Sequence, residues 1–424
     1  MGTVIDKTTV KKYPAYKDSG VEWIEDVPSH WEVKKFKRVF YEIKKRSNSE
    51  LNCGSISFGK VVYKDDEKIP ESTKRSYQVV LKGDYLVNPL NLNYDLISLR
   101  FALSDIDVVV SSGYIVLGNS VKLDKTFYRY FLHRFDVAFM KLLGSGVRQT
   151  LNWNDIANCD LIFPPIAEQT AVAAFLDRKT NLIDQAIAIK QKQIELLKER
   201  RQILIHKAVT HGLNPNVKLK DSGVEWIGKI PEGWEVLYNR RLFREKGRKI
   251  TNSDELPLSL SQVDGVIPSE AMKERSLSPS HRDNFKLCLP GDLVVNRFKG
   301  HLGVFFETSY RGIVTFHYGV FEPEKNVCSK YFELLFHTQT YKTIYAGKSN
   351  GMTIGLQNLS NQNFYDVQSL VPPLNEQRDI IENCKVISEK VEAAISCKEQ
   401  EIEKLKEYKA TLINSAVTGK IKVY

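Results

Sequence analysis

The chain has 424 residues, 42% hydrophobic and 26% charged, with a net charge of +10. This length exceeds one ordinary core and suits two or three domains. No run of about 18 apolar residues marks a membrane span, and the first residues lack the apolar stretch of a secretory signal.

The six cysteines, Cys53, Cys159, Cys288, Cys328, Cys384 and Cys397, include no close pair. Zinc and iron–sulfur sites are therefore not expected, and free thiols in a reducing cytoplasm are. The basic balance is compatible with a nucleic-acid partner but does not demand one.

In chain order, residues 14–163 are rich in Gly, Asn, Ser and β-formers. Asp107-Val-Val-Val-Ser111 and Tyr114-Ile-Val-Leu117 predict strands, and residues 127–143 predict an amphipathic helix. Residues 166–210 contain no Gly or Pro and are built from good helix formers. A Pro-Pro pair precedes them and Gly212 follows as a stop. Residues 217–371 resemble the first segment, with strands predicted at 293–295 and 312–315 and a helix over 330–345. Residues 374–418 predict a second long helix, again after Pro-Pro and before a glycine, Gly419. At about 1.5 Å per residue each long helix spans roughly 65 Å, more than a globule needs, so a coiled coil is expected.

The chain is written twice. Lys17-Asp-Ser-Gly-Val-Glu-Trp-Ile24 recurs unchanged at Lys220 to Ile227, and Pro28, Trp31, Glu32 and Val33 recur as Pro231, Trp234, Glu235 and Val236. Gly83-Asp84 and Asn88 return as Gly291-Asp292 and Asn296. Phe163-Pro-Pro-Ile-Ala-Glu-Gln169 returns as Val371-Pro-Pro-Leu-Asn-Glu-Gln377, and Ala208-Val-Thr210 as Ala416-Val-Thr418. Between 163 and 210, 17 of 48 residues equal their counterparts 208 positions later, which makes these two copies of one unit. The repeated tryptophans Trp23, Trp31, Trp226 and Trp234 suit packing more than base stacking. Asn88 and Asn296 suit the closing of a turn.

The seams agree. Ile183, Ile187, Lys190, Ile194, Leu197, Arg201, Leu204 and Ala208 step alternately by four and three, as in a heptad stripe. Adding 208 gives Val391, Ile395, Lys398, Ile402, Leu405, Lys409, Leu412 and Ala416. The basic positions either set the register or snorkel to water. The expected architecture is α/β: two mixed α/β domains separated by two long antiparallel helices that pair as a coiled coil, with a pseudo-two-fold repeat. The boundaries are 1–163, 164–213, 214–371 and 372–424, with the globules at opposite ends of a rod.

Catalytic patterns are missing. Neither Pro-Pro pair sits in the polar-Pro-Pro-aromatic loop of an amino-methyltransferase, and no Rossmann glycine fingerprint follows a strand. Gly347-Lys348-Ser349 has Lys342 where a phosphate loop needs glycine. Pro-Asp is absent, so Glu32-Val-Lys34 and Glu42-Ile-Lys44 do not complete a nuclease pattern. No paired histidines and no Gly-x-Ser-x-Gly elbow occur. The catalytic, cofactor and metal sites of this chain are expected to be none, which favours a binding protein. A fused methyltransferase or nuclease and a protein-only scaffold are the alternatives.

With both heads, both Pro-Pro-(Ile/Leu)-x-Glu-Gln openings and both Ala-Val-Thr closings in view, the sequence resembles a specificity subunit of a type I restriction–modification system. The resemblance covers essentially the whole chain. It implies two target-recognition domains, each reading half of a split asymmetric DNA site, and two helical regions that fix the spacer. It also implies a non-catalytic, cytoplasmic chain that directs adenine methylation and restriction by partners. Two modification subunits and two restriction subunits are expected, with S-adenosylmethionine, ATP and Mg on those partners. The helical regions would form much of the docking surface for the modification subunits.

Base readout needs Arg, Lys, Asn or Gln at base edges, and phosphates are held by Lys, Arg, Ser and backbone amides. The favoured DNA-binding candidates in the first globule are Ser145, Arg148, Gln149 and Thr150, in the Gly-rich loop that starts at Gly144. The counterparts in the second are Lys348, Asn350, Thr353 and Gln357. Further candidates are Lys60, Lys74, Arg75 and Asn91, and Gln262, Arg275, Arg282, Arg297, Lys299 and His301.

Overall fold

The computed structural model of the chain describes residues 11–90, 100–139, 151–250, 254–272, 285–349 and 358–424. The chain divides into two compact units, Met1–Lys190 with Gln400–Tyr424, and Gln191–Glu399. Each is described in turn.

The first unit is built on a six-stranded sheet. Its order is Phe40–Glu42, Ile115–Asn119, Tyr85–Val87, Phe101–Leu103, Lys60–Tyr63 and Gly54–Ser57. All neighbours are antiparallel except Lys60–Tyr63 beside Phe101–Leu103. Helix Lys125–Ala138 begins at Asp124, whose carboxylate accepts from the N–H groups of Thr126 and Phe127, both at 3.0 Å. Its buried face carries Phe127, Tyr128, Phe131 and Phe135. Phe40 packs edge-on to both Tyr85 and Tyr128, and Phe135 meets Phe36 and Phe101. The other face of the sheet carries a smaller core of Val61, Val80, Leu86, Val108 and Val116.

The second unit repeats the plan with more breaks. A four-stranded sheet, Phe243–Glu245, Tyr318–Pro323, Leu293–Asn296 and Phe305–Glu307, accompanies a three-stranded sheet and the hairpin Leu258–Ser261/Gly265–Pro268. Its core gathers Phe305, Phe332, Phe336, Tyr345 and Phe364. The strands expected at 107–111, 114–117, 293–295 and 312–315 are present as Val108–Val110, Ile115–Asn119, Leu293–Asn296 and Gly312–Val314. The single helix expected over 330–345 is instead two, Ser329–Phe336 and Gln339–Lys348. Thr338 breaks it: its backbone is extended and its hydroxyl donates to the Leu335 carbonyl at 2.7 Å.

The long helices are Ile166–His211 and Leu374–Val417, each ended by a glycine in the left-handed region, Gly212 at φ 75° and Gly419 at φ 74°. Within the first unit Asp184 pairs with Lys409 at 2.7 Å and Lys190 with Glu401 at 2.6 Å. Rising numbers on one helix meet falling numbers on the other, so the segments run antiparallel. Within the second unit Arg201 meets Glu392 across the two helices. The seam residues Ile183, Val391, Ile395, Ile402 and Leu412 are buried, and Ile187, Ile194, Leu197, Leu204 and Leu405 are partly buried. Lys190, Arg201 and Lys409 thus reach acidic partners on the opposing helix, which fixes its register.

The repeated Glu-Gln of each helix opening has a specific task. Trp31 Nε1 donates to Glu168 at 2.8 Å, and Trp234 Nε1 donates to Glu376 at 2.9 Å. Gln169 donates to the Pro164 carbonyl at 2.7 Å and accepts from the Asp124 N–H at 2.9 Å. Gln377 donates to the Pro372 carbonyl at 2.9 Å and accepts from the Cys328 N–H at 2.9 Å. Each glutamine thereby ties its long helix to the start of its globule's own helix, and each glutamate ties it to a fully buried tryptophan. Trp23 packs on Phe131 and Phe135, and Trp226 on Tyr341.

Candidate nucleic-acid interface

At one end of each sheet lie described residues that border segments differing between the repeats. In the first unit, strand Tyr85–Val87 leads to Asn88, whose side chain accepts from the Leu90 N–H at 3.0 Å. Residues 91–99 follow, and the chain returns at Arg100, whose carbonyl accepts from the Asn88 N–H. Residues 140–150 end at Leu151, and the Leu151 N–H donates to the Pro89 carbonyl at 3.1 Å. The ends of these two segments are therefore pinned side by side.

The second unit repeats this. Asn296 accepts from the Phe298 N–H at 3.1 Å, and the Leu359 N–H donates to the Arg297 carbonyl at 2.9 Å. Residues 350–357 thus end beside the 3-10 helix Arg297–Leu302. Register pairs Ile250 with Phe285, Lys286 with Val314 and Asn296 with Tyr318, so Ile250 and Phe285 lie at this same end.

Candidates Asn91, Ser145, Arg148, Gln149 and Thr150, with Arg275, Arg282, Asn350, Thr353 and Gln357, lie outside the described residues, as does the side chain of His301. Of the others, Lys60, Arg75, Gln262, Lys299 and Lys348 are exposed. Helix Gln339–Lys348 packs on the 3-10 helix that carries Lys299, and Asn363 donates to the Lys348 carbonyl at its end. Two candidates are engaged by protein. The Lys74 ammonium holds Asp66 at 2.7 Å. Arg297 donates to Glu245 at 2.8 Å and to Asn361 at 2.5 Å, and Glu245 also takes Lys286 at 2.9 Å. Arg297 therefore shapes the floor of this end rather than projecting from it.

Several features were not read from the sequence. Phe298 and Phe316 are exposed and both rings contact His317, at 5.3 and 3.9 Å. A cleft of about 880 Å³ in the same unit is lined by Arg201, His206, Gln262, Val263, His337 and Lys342, among others. His133 and His337 occupy equivalent places behind Phe101 and Phe305. Burial pushes each down to about 4, so both are neutral near pH 7. Burial opposes ionisation of Glu168, but hydrogen bonds from Trp31, His30 and Tyr424 outweigh it and hold the carboxyl below its ordinary range. Among the described residues no cluster of His, Cys, Asp and Glu could hold a metal, and no helix is long and apolar enough to cross a membrane.

No family model matches the chain. A Methanocaldococcus jannaschii protein named "Putative type I restriction enzyme MjaX specificity subunit" is 23% identical, covering 96% of this chain and 98% of its own. The MjaVIII specificity subunit of the same organism is 23% identical over 74% of this chain and 75% of its own. Among solved structures, a chain from "Structural basis underlying complex assembly and conformational transition of the type I R-M system" superposes with TM-score 0.66 at 13% identity, covering 92% of this chain and 98% of that one. The HsdS subunit from Thermoanaerobacter tengcongensis gives 0.53 at 14% identity, covering 93% and 98%. Over nearly its full length, in sequence relatives and in fold, the chain is a homologue of the specificity subunits of type I restriction–modification systems.

Proposed function

We propose that this chain is the DNA sequence-recognition subunit of a type I restriction–modification complex. Each unit reads one half of a split, asymmetric site, and the helices set the spacer. The observation that carries this is the recurrence of one anchor, Leu151 on Pro89 and Leu359 on Arg297, beneath segments whose sequences differ. A constant frame with variable loops suits two different half-sites.

In this reading the chain is non-catalytic and cytoplasmic and carries no cofactor. Two modification subunits supply S-adenosylmethionine and methylate adenine, and two restriction subunits use ATP and Mg. An apolar stripe supports protein docking on the first long helix. Leu182 and Ile189 in the first unit, and Leu196 and Ile203 in the second, are each more than half exposed and fall at seven-residue steps. The matching positions of the second helix are Lys390, Cys397, Lys404 and Thr411, so the stripe belongs to one helix alone.

Mapping methylated adenines in cells that carry this chain and its modification subunit tests the proposal. Exchanging residues 217–371 for another globule should change one half-site and spare the other. Inserting a few residues into one long helix should change only the spacer. An insertion that changed a half-site and left the spacer alone would overturn the ruler role. Arg148→Ala should relax one base position of the first half-site at a loss of about 1–3 kcal/mol.

A further inference from the structure

We infer that each unit presents a pair of apolar side chains to the major groove, where they contact the methyl groups of thymine. The pairs are Phe58 with Leu90 in the first unit and Val263 with Phe298 in the second. This rests on the DNA-recognition reading and adds an apolar component to it.

Single exposed apolar residues are common and need no explanation. These four are not scattered. Phe58 is 79% exposed and Val263 85%, and each sits at the tip of the same hairpin of its repeat. Leu90 is 46% exposed and Phe298 42%, and each follows its turn-closing asparagine by two residues and donates its N–H to it.

Both positions lie at the loop-bearing end of the sheet. In the first unit Lys60 runs parallel to Leu103, so the tip before Lys60 projects toward Phe101 and Arg100. Val87 pairs with Phe101, so Leu90 lies beyond the same end. In the second unit Val263 lines one cleft with Leu302, Gly303 and Phe306. Phe298 lies on the short helix that ends at Leu302.

The backbone at the first tip argues for function. Phe58 has φ 46° and Gly59 φ 73°, the left-handed pair of a tight hairpin turn. Asn, Asp or Gly fills the first of these places without strain, whereas a bulky residue there is a strained exception. The strain holds an aromatic ring out in water, where it gains nothing in the isolated chain. At the second tip the Ser261 hydroxyl accepts from the N–H groups of Val263 and Asp264 at 3.2 and 3.1 Å, which fixes the presentation of Val263. Phe, Leu and Val share one chemistry at a DNA surface, apolar contact with the C5-methyl of thymine. A half-site that is methylated on adenine always contains a thymine to meet them.

The test uses the full chain assembled with its modification subunits and duplexes in which each thymine of the mapped site is replaced in turn by uracil, which lacks only the methyl. Wild type should lose about fourfold in affinity at one or more thymines of each half, the worth of one buried methyl. Phe58→Ser and Leu90→Ser should abolish that discrimination in one half-site only, and Val263→Ser and Phe298→Ser in the other. Phe58→Leu should restore it. Because no charge is removed, the slope of log affinity against log salt should stay that of wild type. Selective binding that is indifferent to uracil, or discrimination that survives in the serine variants, would overturn this inference alone. Failure of wild type to bind any site selectively would overturn the recognition reading with it. Thermal melts of Phe58→Ser and Val263→Ser should match wild type, since these two side chains are 79% and 85% exposed.

Discussion

The main-chain N–H of Leu151 donates to the carbonyl of Pro89, closing a clasp across two loops that are more than fifty residues apart in the chain. Leu359 and Arg297 form the same clasp 208 residues later. Only backbone atoms take part, so the bond survives while Pro becomes Arg at its acceptor. A recognition frame with this clasp tolerates change in the residues that it positions.

The tryptophan–glutamate ties are expected to contribute substantially to each unit. Trp31→Phe keeps the packing but removes the indole donor from Glu168, which retains His30 and Tyr13, and Trp234→Phe removes the indole donor from Glu376. Each should lower stability by about 2 kcal/mol in denaturant titration. Trp31→Phe should act on the first unit and Trp234→Phe on the second, which fragment-resolved hydrogen exchange would separate.

Lys190 and Glu401 provide a test of helix register. Lys190→Glu or Glu401→Lys alone places like charges together, and the double exchange restores the pair. A double-mutant cycle should give a coupling of roughly 0.5–1 kcal/mol, as expected for a half-exposed pair. A coupling near zero would mean that the pair does not hold the register.

His133 and His337 set an acid limit. Both fall to about 4 when folded, below the ordinary value of about 6.5. Between these values the unfolded chain binds more protons. Their contribution is therefore complete above about pH 6.5 and is lost as pH falls toward 4. The loss is on the order of 3 kcal/mol per histidine. Melting temperature followed from pH 7 to 4.5 should fall more steeply for wild type than for the His133→Gln, His337→Gln double variant.

Gly419 is closed to any side chain. A Cβ there would lie 2.4 Å from Pro28 Cδ and 2.9 Å from Trp31 Cη2, at φ 74°. Gly419→Ala should cost at least about 2 kcal/mol in a chemical melt. Gly223→Ala, at φ 72° with nothing within 4 Å, carries backbone strain alone and should cost about 1 kcal/mol.

The sequence made the long-range plan legible because the plan is periodic. The seam from Ile183 to Ala208 and its echo 208 residues on are visible without any tertiary knowledge, and both helices ended at the predicted glycines. Asn88 and Asn296 close turns, as their type and place suggested. The partners of Glu168 and Gln169 were not legible, because Trp31 and Asp124 lie 137 and 45 residues away. Phe58 was hidden for the opposite reason. An aromatic residue in a strand-rich segment reads as core, and only the hairpin register shows that it stands in water. The break at Thr338 was masked by apolar spacing that continues on both sides of it. Lys74 and Arg297 look like free cations in the sequence, but folding brings Asp66 and Glu245 to them.

The first unit is discontinuous: Gln400–Tyr424 complete a core begun by Tyr13, Val27 and Trp31. Gly419 lies against Pro28 and Trp31, and the Lys422 N–H donates to the Lys11 carbonyl. On a ribosome the early globule must wait for these residues, which follow the whole of the later one, continuous from 191 to 399. At about 5–20 residues per second the delay is on the order of ten to forty seconds. Through that interval the aromatic core around Trp31 lacks its last covering, so a chaperone or a slow translation step would act on the half made first.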